Sequence, residues 1–131
     1  KHSIEENVLF MDNVPYEKLH LYLSQADIFI DPVNVLKNPE MIPAGISGAT
    51  LESMSCGLIP VIGRRPGLEL YFTNELEDLI YEIMEFDLDK FIEKAIVNKD
   101  NYELKNKIRN IVVEKSSWSF NLNRILNLLK E

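Results

Sequence analysis

Short apolar runs along the chain predict the strands of a sheet. Residues 7–11, 27–30 and 58–62 are apolar almost throughout and lack the polar alternation of a strand that faces water on one side. A weaker run at residues 79–81 suits a fourth strand. Because such runs are typical of strands that are covered on both faces, they predict a mainly parallel sheet.

Helical spacing of apolar residues predicts the segments between and after these strands. One helix is expected to begin at Pro15, a residue that suits the first helical position. Another is expected after Ser47, whose hydroxyl can cap it, and should end at Gly57. Three further apolar stripes, at residues 88–96, 104–112 and 122–129, predict three C-terminal helices.

The predicted fold class is α/β, a Rossmann-like parallel sheet with flanking helices, because strands alternate with helices along the chain. The 131 residues suit one domain, which we divide into an α/β part at residues 1–86 and a helical part at residues 87–131. In such sheets ligands bind beyond the carboxyl ends of the strands. The loops at residues 12–15 and 31–47 reach this edge, and a loop as long as the second is usually functional.

Composition narrows the class of protein. No apolar run approaches the ~20 residues that a membrane-spanning helix needs. Cys56 is the only cysteine, which excludes a disulfide framework and favours a reducing cytoplasm. We expect Cys56 to be a small buried residue. His20 falls in the first predicted helix and is expected at the surface.

The charge distribution bears on the partners. The formal net charge of −7 argues against a nucleic-acid partner, while a small phosphate ligand stays compatible with it because backbone amides can bind one. Residues 104–131 are basic, with six basic and two acidic groups. This tail is interpreted as a solvated helix face, with an interface to anionic lipid or to another domain as the alternative.

The stretch at residues 44–52 is the best candidate site. Gly45 and Gly48 let a ligand approach the backbone closely, and the amides around Ile46 and Ser47 at the start of the helix favour a phosphate. Glu52 follows just over one turn later, where its carboxylate can accept two hydrogen bonds from a ribose diol. A glycine-rich helix start with a solvated glutamate is an equally good interpretation of the residues alone.

Two arginines follow the third predicted strand at the same edge of the sheet. Arg64 and Arg65 are candidate phosphate contacts, since the guanidinium group suits a diphosphate. The alternative interpretation is a solvated pair of loop residues. No metal site is predicted.

Five stretches of the chain, taken in order, resemble motifs of one enzyme family. They are NVLF at residues 7–10 with Val14-Pro15, QADIFIDP at 25–32, LESMSCGLIPVI at 51–62, PGLE at 66–69 and SWS at 117–119. The third is similar to the pattern LEAMACG-x-PVI. Together they resemble the C-terminal domain of the retaining GT-B-fold glycosyltransferases known as glycosyl transferases group 1.

The resemblance implies a function and roles for individual residues. Such enzymes transfer a sugar from a nucleotide sugar, such as a UDP- or GDP-sugar, with retention of configuration, usually without a metal or another cofactor. It implies that Glu52 binds the ribose, that the amides of Ile46, Ser47 and Gly48 hold the diphosphate or the sugar, and that Asn13 and Val14 contact the base. It also implies a hexosyltransferase of carbohydrate or cell-envelope glycan synthesis, cytoplasmic or at the inner face of the membrane as a peripheral protein.

The chain departs from the family pattern in two ways. Ala44 stands where the family has a first glutamate that contacts the donor sugar, and Glu40 is a doubtful substitute. The first strands of the family domain, the cationic loop that neutralises the leaving diphosphate, and the N-terminal acceptor-binding domain have no counterpart here. We therefore expect an incomplete domain that is inactive alone and has no catalytic residue of its own. A non-catalytic nucleotide-binding or regulatory module and a nucleotide-sugar epimerase of the same fold are the alternatives.

The absent strands lead to a structural expectation. In the family sheet two of them separate the strands that match residues 7–11 and 27–30. A gap of two strands cannot persist, because paired strands lie about 4.8 Å apart. We expect residues 7–11 to move beside residues 27–30, or else the missing strands of a larger chain to fill the gap. The last helix should expose part of its apolar stripe.

Overall fold

The computed structural model describes residues 5–31, 45–72, 76–81 and 88–129. Within them lie three strands and five α-helices. The strands are β1 (Ile28–Asp31), β2 (Ile59–Gly63) and β3 (Ile80–Tyr81). The helices are α1 (Tyr16–Leu23), α2 (Gly48–Ser55), α3 (Leu88–Val97), α4 (Tyr102–Ser116) and α5 (Trp118–Leu128). Short 3₁₀ turns occupy Glu5–Asn7, Leu68–Leu70 and Glu77–Leu79.

The described strands form one parallel sheet in the order β1-β2-β3. Ile28 of β1 lies opposite Ile59 of β2, and Ile62 of β2 lies opposite Ile80 of β3. All five residues of β2 are buried, as expected for a central strand that is covered on both faces. The α/β class and the weak strand at residues 79–81 are thereby confirmed.

The residues that cap the two ends of α2 are the predicted ones. The Ser47 hydroxyl accepts a hydrogen bond from the Thr50 backbone N–H, at an N···O distance of 3.1 Å, and so caps the helix. After the helix, Gly57 adopts a φ of 83°, the left-handed conformation that glycine tolerates best. Pro15 was predicted to be the first helical residue of α1, but it is the residue directly before the helix.

A hydrophobic core lies between the sheet and the helices α2, α3 and α4. Met54 of α2, Ala95 of α3 and Ile108 of α4 are fully buried against Val61 and Ile62 of β2. Ile111 and Val112 continue the buried stripe of α4. The predicted apolar stripes of α3 and α4 thus face the core, and α4 packs against α2.

The prediction of a strand at residues 7–11 is wrong. Asn7 ends a 3₁₀ turn, and residues 8–15 adopt neither helix nor strand. Leu9 is 82% exposed and Phe10 is 93% exposed, and β1 pairs with β2 alone in the described sheet. An apolar run is buried only where neighbouring strands and helices cover it, and the described residues provide no such cover for this one. The expected move of this run to the edge of β1 does not occur.

The last helix matches the expectation of an exposed stripe. Leu122, Ile125, Leu126 and Leu129 all have more than two-fifths of their surface exposed. Among the described residues, no helix has the length and hydropathy to cross a membrane. Ala44 and Glu40, on which the departure from the family pattern depends, lie outside the described residues.

Candidate functional site

Three segments meet at the carboxyl edge of the sheet. Asp31 is the last residue of β1, Ser47 precedes the first turn of α2, and Arg65 follows β2 by two residues. Parallel strands bring their carboxyl ends to one edge, where ligands of such sheets bind. The predicted phosphate-binding start of α2 therefore lies where the fold places a ligand site.

One carboxylate oxygen joins all three segments. Asp31 Oδ2 accepts hydrogen bonds from Thr50 Oγ1 at 2.7 Å and from Ser47 Oγ at 3.0 Å. The Arg65 guanidinium donates to the same oxygen and forms an ion pair with it. The Ser47 and Thr50 hydroxyl oxygens also lie 2.7 Å apart. Asp31 thus fixes the first turn of α2 to the end of β1 and to the loop after β2.

The Asp31–Arg65 pair is shielded from water. The Arg65 side chain is 4% exposed and that of Asp31 is 16% exposed. Burial raises the pKa of Asp31, but hydrogen bonds from Thr50, Arg65 and Ser47, with the positive charge of Arg65, outweigh it. The pKa of Asp31 consequently lies below its ordinary value of 3.8. The carboxylate is ionised at neutral pH.

Backbone contacts hold the same loops together. The Gly45 N–H donates to the Pro66 carbonyl at 2.6 Å. Both Gly45 and Gly67 adopt positive φ, 82° and 92°. A Cβ on Gly67 would lie 3.1 Å from the Gly45 Cα, so a side chain there would push the two loops apart. Glycine at position 67 is needed both for its conformation and for this close approach.

The start of α2 leaves room beside its backbone. Gly48 is exposed, and a Cβ added to it would meet nothing within 4 Å. Ile46, by contrast, packs its side chain against the core cluster and anchors the segment from below. Since the first amides of a helix have no partner within the helix, this open surface suits an anionic group.

Glu52 lines a separate cleft between α1 and α2. The cleft has a volume of about 380 Å³, and its walls include Tyr16, Leu19 and Leu23 of α1 and Cys56, the residue that follows α2. Glu52 is half-buried there. Cys56 is likewise half-buried rather than buried as predicted, and His20 is exposed as predicted.

The residues expected to contact the base lie elsewhere. Asn13 and Val14 line a cleft of about 440 Å³ together with Phe10 and Tyr22. Helix α1 borders both clefts, but Glu52 does not line this second one. The structure therefore brings Gly45, Ser47 and Arg65 together and leaves Asn13 and Val14 apart from Glu52. Their roles in base recognition stay predictions.

The two arginines have different environments. Arg64 is exposed and pairs with the exposed Glu77, which agrees with a solvated loop residue. Arg65 is buried in its pair with Asp31, so the interpretation of both arginines as a solvated pair is wrong for Arg65. The described part of the chain contains no group of three histidine, cysteine, aspartate or glutamate side chains that could hold a metal ion.

Asp31 and Thr50 are site residues that the sequence analysis missed. Asp31 is the first residue of the predicted loop at residues 31–47, and its position at the carboxyl edge of a parallel sheet is itself a signal. Thr50 lies three residues after the capping Ser47, the spacing at which a second polar side chain supports a helix start. Their partner Arg65 lies 34 residues beyond Asp31, a separation that no local pattern reports.

Comparison with known protein families assigns the chain to one of them. A protein-family model described as Glycosyl transferases group 1 matches residues 1–114. The chain belongs to the glycosyl transferases group 1 family. Neither the curated proteins nor the solved structures gave a match.

Family membership gives the site a reaction class. The family match supports glycosyl transfer, and the matched residues include β1, α2, β2 and the loops that meet at Asp31. The site at the carboxyl edge of the sheet is thus part of a glycosyltransferase domain.

Proposed function

We propose that this chain is the donor-binding part of a retaining glycosyltransferase of the GT-B fold, which transfers a hexosyl group from a nucleotide sugar. The observation that carries the proposal is the small-residue start of α2 at the carboxyl edge of the parallel sheet, where Gly48 leaves open space. A nucleotide sugar presents a diphosphate that suits these amides and a ribose diol that suits a carboxylate.

The proposed roles are those that the family resemblance implies, and the positions of the residues support them. The amides of Ile46, Ser47 and Gly48 would bind the diphosphate, with Gly45 allowing close approach. Glu52, just over one turn further along α2, would accept hydrogen bonds from the ribose hydroxyls in the cleft beside α1. The bound anion would neutralise the partial positive charge at the start of the helix. No metal or other cofactor takes part in this binding mode.

The electrostatics favour a further source of positive charge in the complete enzyme. Departure of a nucleoside diphosphate leaves negative charge that a transferase must stabilise. Arg64 and Arg65, both near the site, are paired with Glu77 and Asp31. We assign this stabilisation to the cationic loop of the family domain and acceptor binding to an N-terminal domain, both outside these 131 residues, and we expect the chain alone to be inactive. A cytoplasmic location, with the basic tail at the inner face of the membrane, belongs to the same proposal.

A non-catalytic nucleotide-binding module is the second candidate. Ala44 favours it, because alanine cannot make the donor-sugar contact that the first glutamate of the family pattern makes. An epimerase acting on a nucleotide sugar would use the same binding surface.

Release of nucleoside diphosphate separates these candidates. The intact enzyme would be incubated with UDP- and GDP-hexoses, and free UDP or GDP would be followed over time. A transferase releases the diphosphate as the hexosyl group passes to an acceptor or, without one, slowly to water. An epimerase changes the sugar without releasing the diphosphate, whereas a binding module does neither. Tight binding of the nucleotide without turnover of any of these donors would contradict the transferase.

A further inference from the structure

The ion pair between Asp31 and Arg65 joins two different segments of the site. Asp31 belongs to β1, and Arg65 belongs to the loop that follows β2. The same carboxylate also accepts hydrogen bonds from Ser47 and Thr50 at the start of α2. The ion pairs of Arg64 with Glu77 and of Lys105 with Asp27 do not involve α2.

Stability alone does not account for this pair. Taking two charges out of water is unfavourable, and well-packed apolar residues often replace a buried ion pair without loss. In addition, Arg65 Nε is buried without a hydrogen-bond acceptor among the described residues, which adds a desolvation penalty. A pair that is costly to bury and that joins three segments of a binding site is better explained by the geometry that it imposes.

The hydroxyl hydrogens limit how the network can be arranged. Asp31 Oδ2, Ser47 Oγ and Thr50 Oγ1 lie within 2.7–3.0 Å of one another. With Asp31 ionised, only two hydroxyl hydrogens serve these three contacts. Ser47 Oγ must also accept from the Thr50 N–H. The carboxylate therefore sets the orientation of both hydroxyls and, through the cap, of the first turn of α2.

We propose that Asp31 and Arg65 are positioning residues of the donor site, which hold the first turn of α2 so that its amides converge on the diphosphate. This inference rests on the proposed nucleotide-sugar function. Neither side chain contacts the donor: Asp31 acts through Ser47 and Thr50, and Arg65 acts through Asp31.

Charge gives a way to separate positioning from simple attraction. Asp31→Asn leaves an extra positive charge near the diphosphate, and Arg65→Met leaves an extra negative charge. Plain electrostatics predicts that the first variant binds a diphosphate more tightly and the second more weakly. Positioning predicts that both bind it more weakly, because each breaks the contact that orients α2.

The test compares diphosphates with nucleosides. Calorimetry on the intact enzyme would measure the affinities for UDP, GDP, uridine and guanosine in Asp31→Asn, Arg65→Met and the double variant. We expect each to lose about tenfold in diphosphate affinity, the lower end of the loss seen when groups that orient metal ligands are removed, with nucleoside affinity unchanged. The matched control is Asp27→Asn, which breaks the Lys105 pair just before the other end of β1 and should leave both affinities unchanged.

The double variant separates the positioning role from a general loss of stability. It removes both buried charges together and should regain the thermal stability that a single variant loses. If diphosphate affinity recovers with stability, or if uridine and guanosine weaken as much as UDP and GDP, the positioning role is overturned. Should these variants melt below the assay temperature, Thr50→Val, which keeps both charges, must show the same selective loss. Failure of the wild type to bind UDP or GDP would overturn the proposed function itself.

Discussion

At the residue scale, a single carboxylate organises the candidate site. Asp31 accepts hydrogen bonds from Ser47, Thr50 and Arg65. The sequence predicted Ser47 as a cap and Arg65 near the ligand edge, because both follow from local position. The partner of Arg65 was not predictable, since the pairing depends on how β1 and β2 lie side by side in the sheet.

The lowered pKa of Asp31 predicts an acid-sensitive contribution to stability. Because the folded-state pKa lies below the unfolded value of about 3.8, the contribution is fully present above that value and is lost as pH falls through the folded-state pKa. Thermal unfolding of the wild type and of the Asp31→Asn/Arg65→Met double variant, from pH 7 to pH 2.5, measures it. The wild type should lose more stability in acid than the double variant; parallel losses would contradict the ionised pair.

At the element scale, local patterns predicted the elements that pack on the described core. β2, α2, α3 and α4 appeared as expected because their apolar residues have neighbours that bury them. The run at residues 7–11 has the same composition but lacks neighbours among the described residues, so it forms no strand. An apolar run indicates a tendency to be buried. It forms a strand only where the rest of the fold provides neighbours that bury it.

Two helix caps offer a matched comparison. Ser47 accepts from the Thr50 N–H, and Asn101 accepts from the Leu104 N–H at the start of α4, both at 3.1 Å. Replacing either residue with alanine should lower the free energy of unfolding by about 1 kcal/mol. Chemical denaturation measures this loss.

Only the Ser47 cap lies at the proposed donor site. Ser47→Ala should therefore weaken UDP or GDP binding as well, whereas Asn101→Ala should leave it unchanged. Equal effects of the two substitutions on binding would show that the cap of α2 has no special role at the site.

At the scale of the whole molecule, exposed apolar surface predicts self-association. Leu9 and Phe10 are exposed in the N-terminal segment, Ile125 is exposed on α5, and Leu129 is exposed directly after it. Light scattering on the 131-residue chain should show association that rises with concentration, because contiguous apolar patches avoid water.

Single substitutions identify the surface responsible. Phe10→Asp and Ile125→Asp each add one negative charge to one patch and should reduce association. Val97→Asp adds the same charge at an exposed apolar residue of α3 and serves as the control. A wild-type chain that stays monomeric at high concentration would contradict association through either patch.

Nucleotide binding by Glu52 is the property on which the donor-site proposal depends. Calorimetry on the intact enzyme would compare the wild type with Glu52→Ala, using UDP and GDP, and with Glu114→Ala as a control at an exposed position of α4. Loss of two charge-assisted hydrogen bonds to the ribose should weaken binding by about 2–4 kcal/mol, roughly 30- to 1,000-fold in Kd, with the control unchanged. Equal affinities of the wild type and Glu52→Ala would remove Glu52 from the site and contradict the proposed mode of donor binding.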